Sequence, residues 1–484
     1  MDQIIVNSER LLNLDLLQYF GLLTALIVLG VGVATPLSGA VDGEVQLAFS
    51  VFLATVVLWI TKPVPYVVSS LLSVVLLYGL GLTATFQDAV IGFASTLVFF
   101  FVLLLLIGKS VAKVNLDDWV ANRLVTATST PRVSVRRLAT TLLLLAFIMP
   151  SAVARTVTFV PVIDRINDLY DLGEKSNFRR LAYYVIGHVN PLTSLVVMTG
   201  GGMPITTSEL VNSSVRSFTW IEWVIYMAPP IVLLYSTTVV TASFLYRVDD
   251  DAAASPSEPS IGDGGTRRET TPLTTDQKIV VLTLLVAIVL WIVGSFVGIP
   301  AIIPAMFVVT VVSLPGVRIL TVKEIGDISW GIVFLMGAML SLLQVMRDVG
   351  AFDLVIDFLF SSVPVFQAGL ATIFVVFLFA VGIRSTLSSV SAALILLLPV
   401  LLEFASLLGV NQLYVALSLP IVLGSAVFLP FNIPTVLIAY ERGPLTRAEV
   451  LFLGLMTLTV GFLTTTFGWL VYWPTVERLL TGVF

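Results

Sequence analysis

The sequence predicts an all-α polytopic membrane protein with about eleven spanning helices, two re-entrant hairpins and two inverted repeats. Three observations lead there. The 484 residues are 57% hydrophobic and only 11% charged, with a mean hydropathy of +1.03, a composition foreign to soluble domains. Apolar stretches of spanning length recur along the whole chain. Two apolar stretches are interrupted midway by a knot of small polar residues, one in each half.

The elements follow in order. A lead helix is expected over 19–38 and spans over 46–61, 65–84 and 90–112, then a basic amphipathic segment from Lys109 to Arg137. In 138–163, apolar residues run to Pro150, the knot Ser151 to Thr156 interrupts them, and a second run leads to Pro161. Each arm is about 12 residues, roughly 18 Å of helix, enough to reach the bilayer midplane and return but not to cross. Such irregular backbone is tolerated at that depth only where it is buried in protein or lines a cavity. A broken segment over 180–212, interrupted between Asn190 and Pro204, and a span over 221–246 complete the first half. The stretch 248–276 is rich in Asp, Ser, Pro and Gly and reads as a solvated cytoplasmic linker. Spans resume at 279–298, 300–314 and 330–346. A second hairpin covers 367–402, a second broken segment 411–440 and a last span 450–472.

The halves resemble each other. Leu58-Trp59-Ile60 returns as Leu290-Trp291-Ile292; Ser151 precedes Pro161 by ten residues, as Ser389 precedes Pro399. Thr219-x-x-Glu222 and Thr446-x-x-Glu449 each promise a capping box ahead of an apolar run. The domain reading is therefore 1–45 as N-terminal segment and lead helix, 46–247 as first repeat, 277–478 as second repeat, and 479–484 as tail.

Charge tests the topology. MDQIIVNSER has no basic n-region followed by an apolar run, so no cleavable signal is expected and the N-terminus is placed in the cytoplasm. Of the 25 Lys and Arg residues, only Arg216, Arg347 and Arg478 then fall outside, while Arg155 and Arg384 stay within the membrane. An odd number of crossings per repeat inverts the second repeat and puts the C-terminus outside.

Composition also excludes. The absence of Cys removes disulfides, thiolate metal sites and Cys nucleophiles, and a single His argues against a histidine-rich metal centre. There is no H-E-x-x-H, no Walker A loop and no Ser/His pairing around His188, so an enzyme is not expected; an intramembrane enzyme is the distant alternative.

Several segments carry a resemblance. They are Leu58 to Pro65 (LWITKPVP), Gly92 to Phe101 (GFASTLVFFF), Asp327 to Ala338 (DISWGIVFLMGA), the two hairpins, and Phe428 to Ile438 (FLPFNIPTVLI). With them the chain resembles the divalent anion:sodium symporter family of the ion-transporter superfamily, over almost everything after the lead helix. The resemblance implies a scaffold and a mobile transport domain, a homodimer in the plasma membrane, and elevator-type alternating access. It also implies uptake of dicarboxylates, citrate or sulfate with Na⁺ as coupling ion. The expected partners are a small anionic substrate, the lipid bilayer and a second copy of the chain, with no nucleic acid and no other cofactor.

The family carries Ser-Asn-Thr at each hairpin tip. By the spacing to proline, the tips here are Ser151-Ala152-Val153 and Ser389-Val390-Ser391, so both asparagines are replaced. The Na⁺ set implied by the resemblance is Ser151, Ala152, Val153, Thr193, Ser194, Gly200, Ser389, Val390 and Asn432. The substrate set is Ser151, Arg155, Thr156, Ser385, Thr386, Ser389, Ser391 and Thr435. Arg155 stands four residues past Ser151 and admits three readings: an anion contact, a fixed charge in place of a coupling Na⁺, or a lock on the hairpin. The second reading makes the protein a Na⁺-independent anion exchanger. Arg384 belongs either near the site or at the outer surface by snorkelling. The Ser/Thr run Ser385 to Ser391 forms either an unwound tip or a helix with hydroxyls bonded to i−4 carbonyls. His188 offers either a proton-coupling imidazole or a core histidine. The breaks at 190–202 and 430–435 are expected to face the tips.

Overall fold

The computed structural model describes residues 16–34, 42–116, 119, 130–147, 149, 151–248, 272–351, 370–387 and 389–480, without the side chains of 370–373, 386 and 407. All regular structure among them is helical. In the first half the helices are α1 (Leu16–Ala34), α2 (Gly43–Thr61), α3 (Tyr66–Gly79), α4 (Phe86–Ala89), α5 (Thr96–Lys113), α6 (Pro131–Leu145), α7 (Ala152–Leu169), α8 (Asn177–Tyr184), α9 (Asn190–Thr193), α10 (Gly202–Ser214) and α11 (Trp220–Leu245). In the second they are α12 (Thr275–Val297), α13 (Ile302–Ser313), α14 (Val322–Gly326), α15 (Trp330–Asp348), α16 (Leu370–Thr386), α17 (Val390–Leu407), α18 (Gln412–Ser425), α19 (Pro434–Arg442), α20 (Arg447–Phe467) and α21 (Trp473–Leu480).

Seven of the described helical segments are long and apolar enough to cross a membrane, the last running from Arg447 to Leu480 through a π-helical turn, and five shorter ones are apolar. With the mean hydropathy of the chain this makes a polytopic membrane protein. The order of helices α2–α7 recurs in α12–α17, while the broken segment that follows has three helices in the first half (α8–α10) and two in the second (α18 and α19). Both expected capping boxes form: Thr219 Oγ1 accepts from the Glu222 amide and Thr446 Oγ1 from the Glu449 amide, both at 3.3 Å. A further matched pair caps the two short helices α4 and α14, which precede α5 and α15: Thr85 with Asp88 and Thr321 with Glu324.

Two compact units divide the chain. The first takes residues 1–99, 329–372 and 395–410. Here α1 lies on α2 through small residues, with Gly21 against Thr61 and Gly32 against Ser50. Lys62 closes α2 in the left-handed region (φ 50°), and its ammonium lies over the Tyr66 ring at 5.0 Å, a local reason for the T-K-P-V-P turn. Residues 92–99 and 329–338 of two of the sequence motifs meet in this unit. Gly92 N–H donates to Ser341 Oγ at 3.0 Å, and a Cβ at Gly92 would run into the backbone of Gly337 and Ser341. A Cβ at Gly337 would lie 2.5 Å from the Phe93 ring, so only glycine permits this approach.

The second unit takes residues 100–328, 373–394 and 411–484. Helix α6 ends at Leu145 and α7 starts at Ala152, so no single rod crosses 138–163. Ser134, Arg137 and Leu138 of α6 share a small cavity with Val162, Ile163 and Ile166 of α7, so the two helices run antiparallel, as a hairpin. Its arms are longer than expected, 15 and 18 residues, about 22 and 27 Å. The reason is local: Thr130 caps α6 and Pro131 takes its first position, so the helix starts inside the segment read as a separate basic amphipathic stretch. Tyr235 of α11 holds this hairpin by donating to Ala139 O at 2.8 Å. The α11 and α20 helices pack together, and Tyr472 and Trp473 donate to the α11 carbonyls of Ile225 and Tyr226. In the second hairpin α16 and α17 are separate helices, with the break between Thr386 and Val390. Residues 367–369 of that segment, 249–271 of the linker, 1–15 and 481–484 lie outside the described residues.

Candidate functional site

All four polar interruptions bring residues into the second unit: the tips 151–156 and 385–391, and the breaks 190–202 and 430–435. The breaks arise from identifiable causes. After α8 the helix widens into a π turn at Val185–Val189, Pro191 removes a donor, and the chain leaves helical geometry at Val197. The segment restarts as α10 at Gly202. The second segment ends its first helix at Ser425, makes a 3₁₀ turn at Pro430–Asn432 and restarts at Pro434.

Ser151 and Ser389 play the same part. Ser151 Oγ accepts from the Ala154 amide at 3.2 Å and Ser389 Oγ from the Ala392 amide at 3.3 Å, so each serine caps the helix that leaves its tip. A serine used this way still has its own O–H to offer an anion.

Arg155 is fully buried and belongs to the first tip and first break at once. Its Nε donates to Asn190 Oδ1 (2.8 Å), and its Nη1 donates to Met149 O. Its Nη2 donates to Ser194 Oγ (2.9 Å), Thr193 Oγ1 (3.1 Å) and Asn190 O (3.4 Å). Every nitrogen of the guanidinium therefore meets an oxygen, and none of these oxygens is a carboxylate. Asn190 completes the clamp by donating Nδ2 to Ala152 O at 2.9 Å. Thr156, also fully buried, donates to Ile186 O at 2.7 Å and accepts from Asn190.

Arg384 is its counterpart. It too is fully buried; Nη1 donates to Leu387 O at its own tip and Nη2 to Asn432 O in the second break at 3.0 Å. Asn432 donates Nδ2 to Ser385 O at 2.9 Å and accepts the Phe428 and Leu429 amides on Oδ1. The same chemistry thus occurs twice: an arginine joins a tip carbonyl to the carbonyl of the asparagine in the facing break, and that asparagine's amide returns to a tip carbonyl. The two differ in completeness, since Arg384 Nε has no partner among the described residues.

The structure places the other residues singled out from the sequence as follows. Thr435 Oγ1 donates to Gly187 O at 2.7 Å, which ties the second break to the π turn of the first. Gly202, at the start of α10, lies against Ser391: a Cβ there would stand 2.8 Å from its Oγ. Gly200 packs on the Ser194 carbonyl, where a Cβ has no room. Ser385 bonds Gly382 O at 2.7 Å, a back-bond of the kind that competes with an open tip. Val390 is buried, Val153 is exposed, and the side chain of Thr386 lies outside what is described. His188 is buried in the π turn against the Tyr184 ring, its nitrogens without a hydrogen bond of normal geometry although the Val450 backbone is alongside. Glu403 pairs with Arg347 at 3.4 Å in the first unit. Among the described residues no three His, Cys, Asp or Glu side chains gather as a metal site.

A family model described as the sodium:sulfate symporter transmembrane region matches residues 17–479. The chain belongs to that family. The expected family of divalent anion:sodium symporters is therefore the right one, and it is a family of transporters. A relative named only as a membrane protein, from Cupriavidus necator, is 21% identical over 476 residues, which are 92% of this chain and 90% of its own.

Within this symporter family, the residues hardest to find from sequence were the acceptors. The role of Asn190 as partner of Arg155, and that of Asn432 as partner of Arg384, depend on carbonyls such as Met149 O and Leu387 O that no residue type announces. The available signal was an asparagine beside a proline at each break, Asn190-Pro191 and Asn432-Ile433-Pro434.

Proposed function

We propose that this protein is a secondary active transporter of small divalent or trivalent anions: dicarboxylates, citrate or sulfate. It works as a homodimer in the plasma membrane by elevator-type alternating access, with the N-terminus inside and the C-terminus outside. The 151–156 and 385–391 tips enter the membrane from opposite sides as re-entrant hairpins. The observation that carries this reading is the doubled clamp of buried arginine, asparagine and tip carbonyls, with capping serines, in an otherwise apolar body. Unpaired cations at bilayer depth persist where they serve an anion or ion pathway.

The geometry favours exchange without Na⁺. A Na⁺ at the first tip needs several oxygen ligands. Met149 O, Asn190 Oδ1, Asn190 O, Thr193 Oγ1 and Ser194 Oγ supply such a set, and the guanidinium of Arg155 already occupies it. Two residues expected to bind Na⁺, Thr193 and Ser194, are thus engaged by a fixed cation. The second reading, Na⁺-coupled uptake, is supported by the family and by the carbonyl-lined second tip.

The test is labelled succinate, citrate and sulfate transport by the purified protein in liposomes, with and without a Na⁺ gradient. Uptake or exchange of at least one anion is expected, with a rate changed less than about twofold by Na⁺. A rate that rises tenfold or more with inward Na⁺ favours the coupled reading, and no transport of any of the three anions overturns both.

A further inference from the structure

Glu209 is the one ionisable side chain of α10 (GMPITTSELVNSS). Gly202, Thr206 and Ser213 share its helix face, spaced three or four residues apart. That face grades from closed to open. Gly202 lies against the second tip, beside Ser391 Oγ. Thr206, one turn on, is fully buried, and its hydroxyl has no hydrogen-bond partner among the described residues. Glu209 is half-buried and Ser213 is exposed. Glu209 thus stands two turns from Gly202, about 10 Å along the helix axis. It takes part in none of the ion pairs among the described residues. Its partner is neutral: Asn212 Oδ1 accepts the Phe218 amide at 2.6 Å, which leaves Nδ2 for the Glu209 carboxyl. A carboxyl accepts that bond whether ionised or not, so a proton on its second oxygen disturbs nothing. The titratable and charged groups facing α10 from the elements packed on it are engaged elsewhere. Tyr414 of α18 donates to Glu477, and Arg216, just beyond α10, pairs with Glu222. Arg155, which reaches the 3₁₀ turn Ser194–Val196 through Ser194, and Arg384 of the second tip both donate to neutral oxygens.

We propose that Glu209 is a proton-binding site linked to the anion site at the second tip, so that the protein takes up its cargo together with a proton; this rests on the transport reading above. A carboxylate with only a neutral partner at bilayer depth is costly, and carboxyls so placed serve proton relays. Ser213 opens the face to water, the source of the proton, and the Thr206 hydroxyl extends the polar face towards the tip. The carboxylate takes H⁺ from water to become the acid when the anion binds and returns it when the anion leaves; no bond to the cargo forms. The linkage is Coulombic. An ionised Glu209 repels an anion at the tip and a protonated one does not. Over about 10 Å at the effective dielectric of a protein, that difference against a dianion is roughly tenfold or more in affinity. The bound anion raises the proton affinity of Glu209 by the same factor, since linkage is reciprocal. The cation that accompanies the anion is then H⁺, which needs one carboxyl oxygen where Na⁺ needs a cage of ligands.

The experiment measures the KM for labelled sulfate in liposomes preloaded with sulfate, with the same pH on both sides, at pH 6.0 and at pH 8.0. Sulfate stays a dianion over this range, so any change belongs to the protein. Should the protein carry only carboxylates, succinate replaces sulfate at a fixed concentration of its dianion. The wild-type KM is expected to be about tenfold lower at pH 6.0, and a change of less than threefold overturns the inference while leaving anion transport standing. No transport of any anion overturns the transport reading and this one with it. Glu209→Gln, whose amide resembles the protonated acid, is expected to show a low KM at both pH values. Glu209→Asp is expected to keep the response to pH. A glutamine variant with the wild-type response overturns the inference. Adding the anion to purified wild-type protein in weakly buffered detergent solution at pH 7 is also expected to draw protons from solution, and Glu209→Gln to draw none. Should the glutamine variant fail to fold, the infrared difference spectrum of the wild type decides. A carboxylic-acid carbonyl band that appears on binding supports the inference, and no such band overturns it.

Discussion

The two hairpin tips are built to one plan and finished to different degrees. At the first, Arg155 spends all three nitrogens on Met149, Asn190, Thr193 and Ser194, and Asn190 and Thr156 close the ring. At the second, Arg384 spends two nitrogens on two carbonyls, and its Nε has no partner among the described residues. A buried polar network with all its partners rigidifies its surroundings. The first tip is thus held by more hydrogen bonds than the second among the described residues. The difference teaches that two tips with the same arginine, asparagine and carbonyl plan need not make the same number of hydrogen bonds.

The sharpest way to break this comparison is to remove each arginine's head group. Arg155→Met strands acceptors on three side chains and one tip carbonyl, and is expected to destabilise the protein by about 3–5 kcal/mol. Arg384→Met strands two carbonyls and is expected to cost about 1–2 kcal/mol. Thermal unfolding of the purified protein in detergent reads both, and equal losses would end the claim that the first clamp is the tighter.

The asparagines sharpen it next. Asn190→Ala removes an acceptor for Arg155 and donors to Ala152 O and Thr156, with an expected loss of about 2–3 kcal/mol. Asn432→Ala removes the cap on two amides and the bond to Ser385 O, with an expected loss of about 1–2 kcal/mol. Amide hydrogen exchange should also separate them: Phe428 and Leu429 gain exchange in the second variant, while the first leaves those two amides protected.

Smaller still is the pair of threonines that bind the tips to the π turn. Thr435→Val deletes one bond, to Gly187 O, and is expected to lower stability by about 1 kcal/mol. Thr156→Val deletes the bond to Ile186 O and the acceptor of the Asn190 amide as well, and is expected to cost about 1–2 kcal/mol; a smaller loss than that of Thr435→Val would show that Thr156 is not part of the ring around Arg155.

The smallest effect belongs to a surface contact that serves as the control. Lys113 Nζ meets Glu324 Oε1 at 2.7 Å, and together with Thr321 it holds the Glu324 carboxyl well below its ordinary value, at about 2. A depressed folded-state value means that the pair stabilises the fold above the carboxylate's unfolded pKa, about 4.3, and ceases to do so as the pH falls towards 2. Lys113→Met is therefore expected to lower the melting temperature by a degree or so at pH 7, and the gap to wild type should shrink as the pH is lowered through 4. A gap that widens in acid would reverse the assignment. Exposed pairs of this kind contribute little, in contrast to the buried clamps.

Much of the architecture was legible because hydropathy and capping are local. The capping boxes at Thr219 and Thr446 form where their spacing put them, and the polar knot at Ser151 does interrupt the helix. The start of the first hairpin was misjudged, because Thr130-Pro131 outweighs the charge of Arg132, Arg136 and Arg137 as a helix signal. The roles at the tips were harder. Ser151 and Ser389 were recognised by position, yet their caps are settled by backbone amides three residues on. Arg384 could not be placed at all from its neighbours, since burial and snorkelling read alike in one dimension.

By itself, then, the order of residues determined the class of protein, the helices, their interruptions and their repetition, all of which depend on contacts within a few residues or on transfer from water to lipid. Only the tertiary structure decided what the intramembrane charges do. The partners of Arg155 and Arg384 are mostly main-chain carbonyls and lie up to 48 positions away along the chain. A carbonyl is the same in every residue, so only folding can select which ones meet a guanidinium.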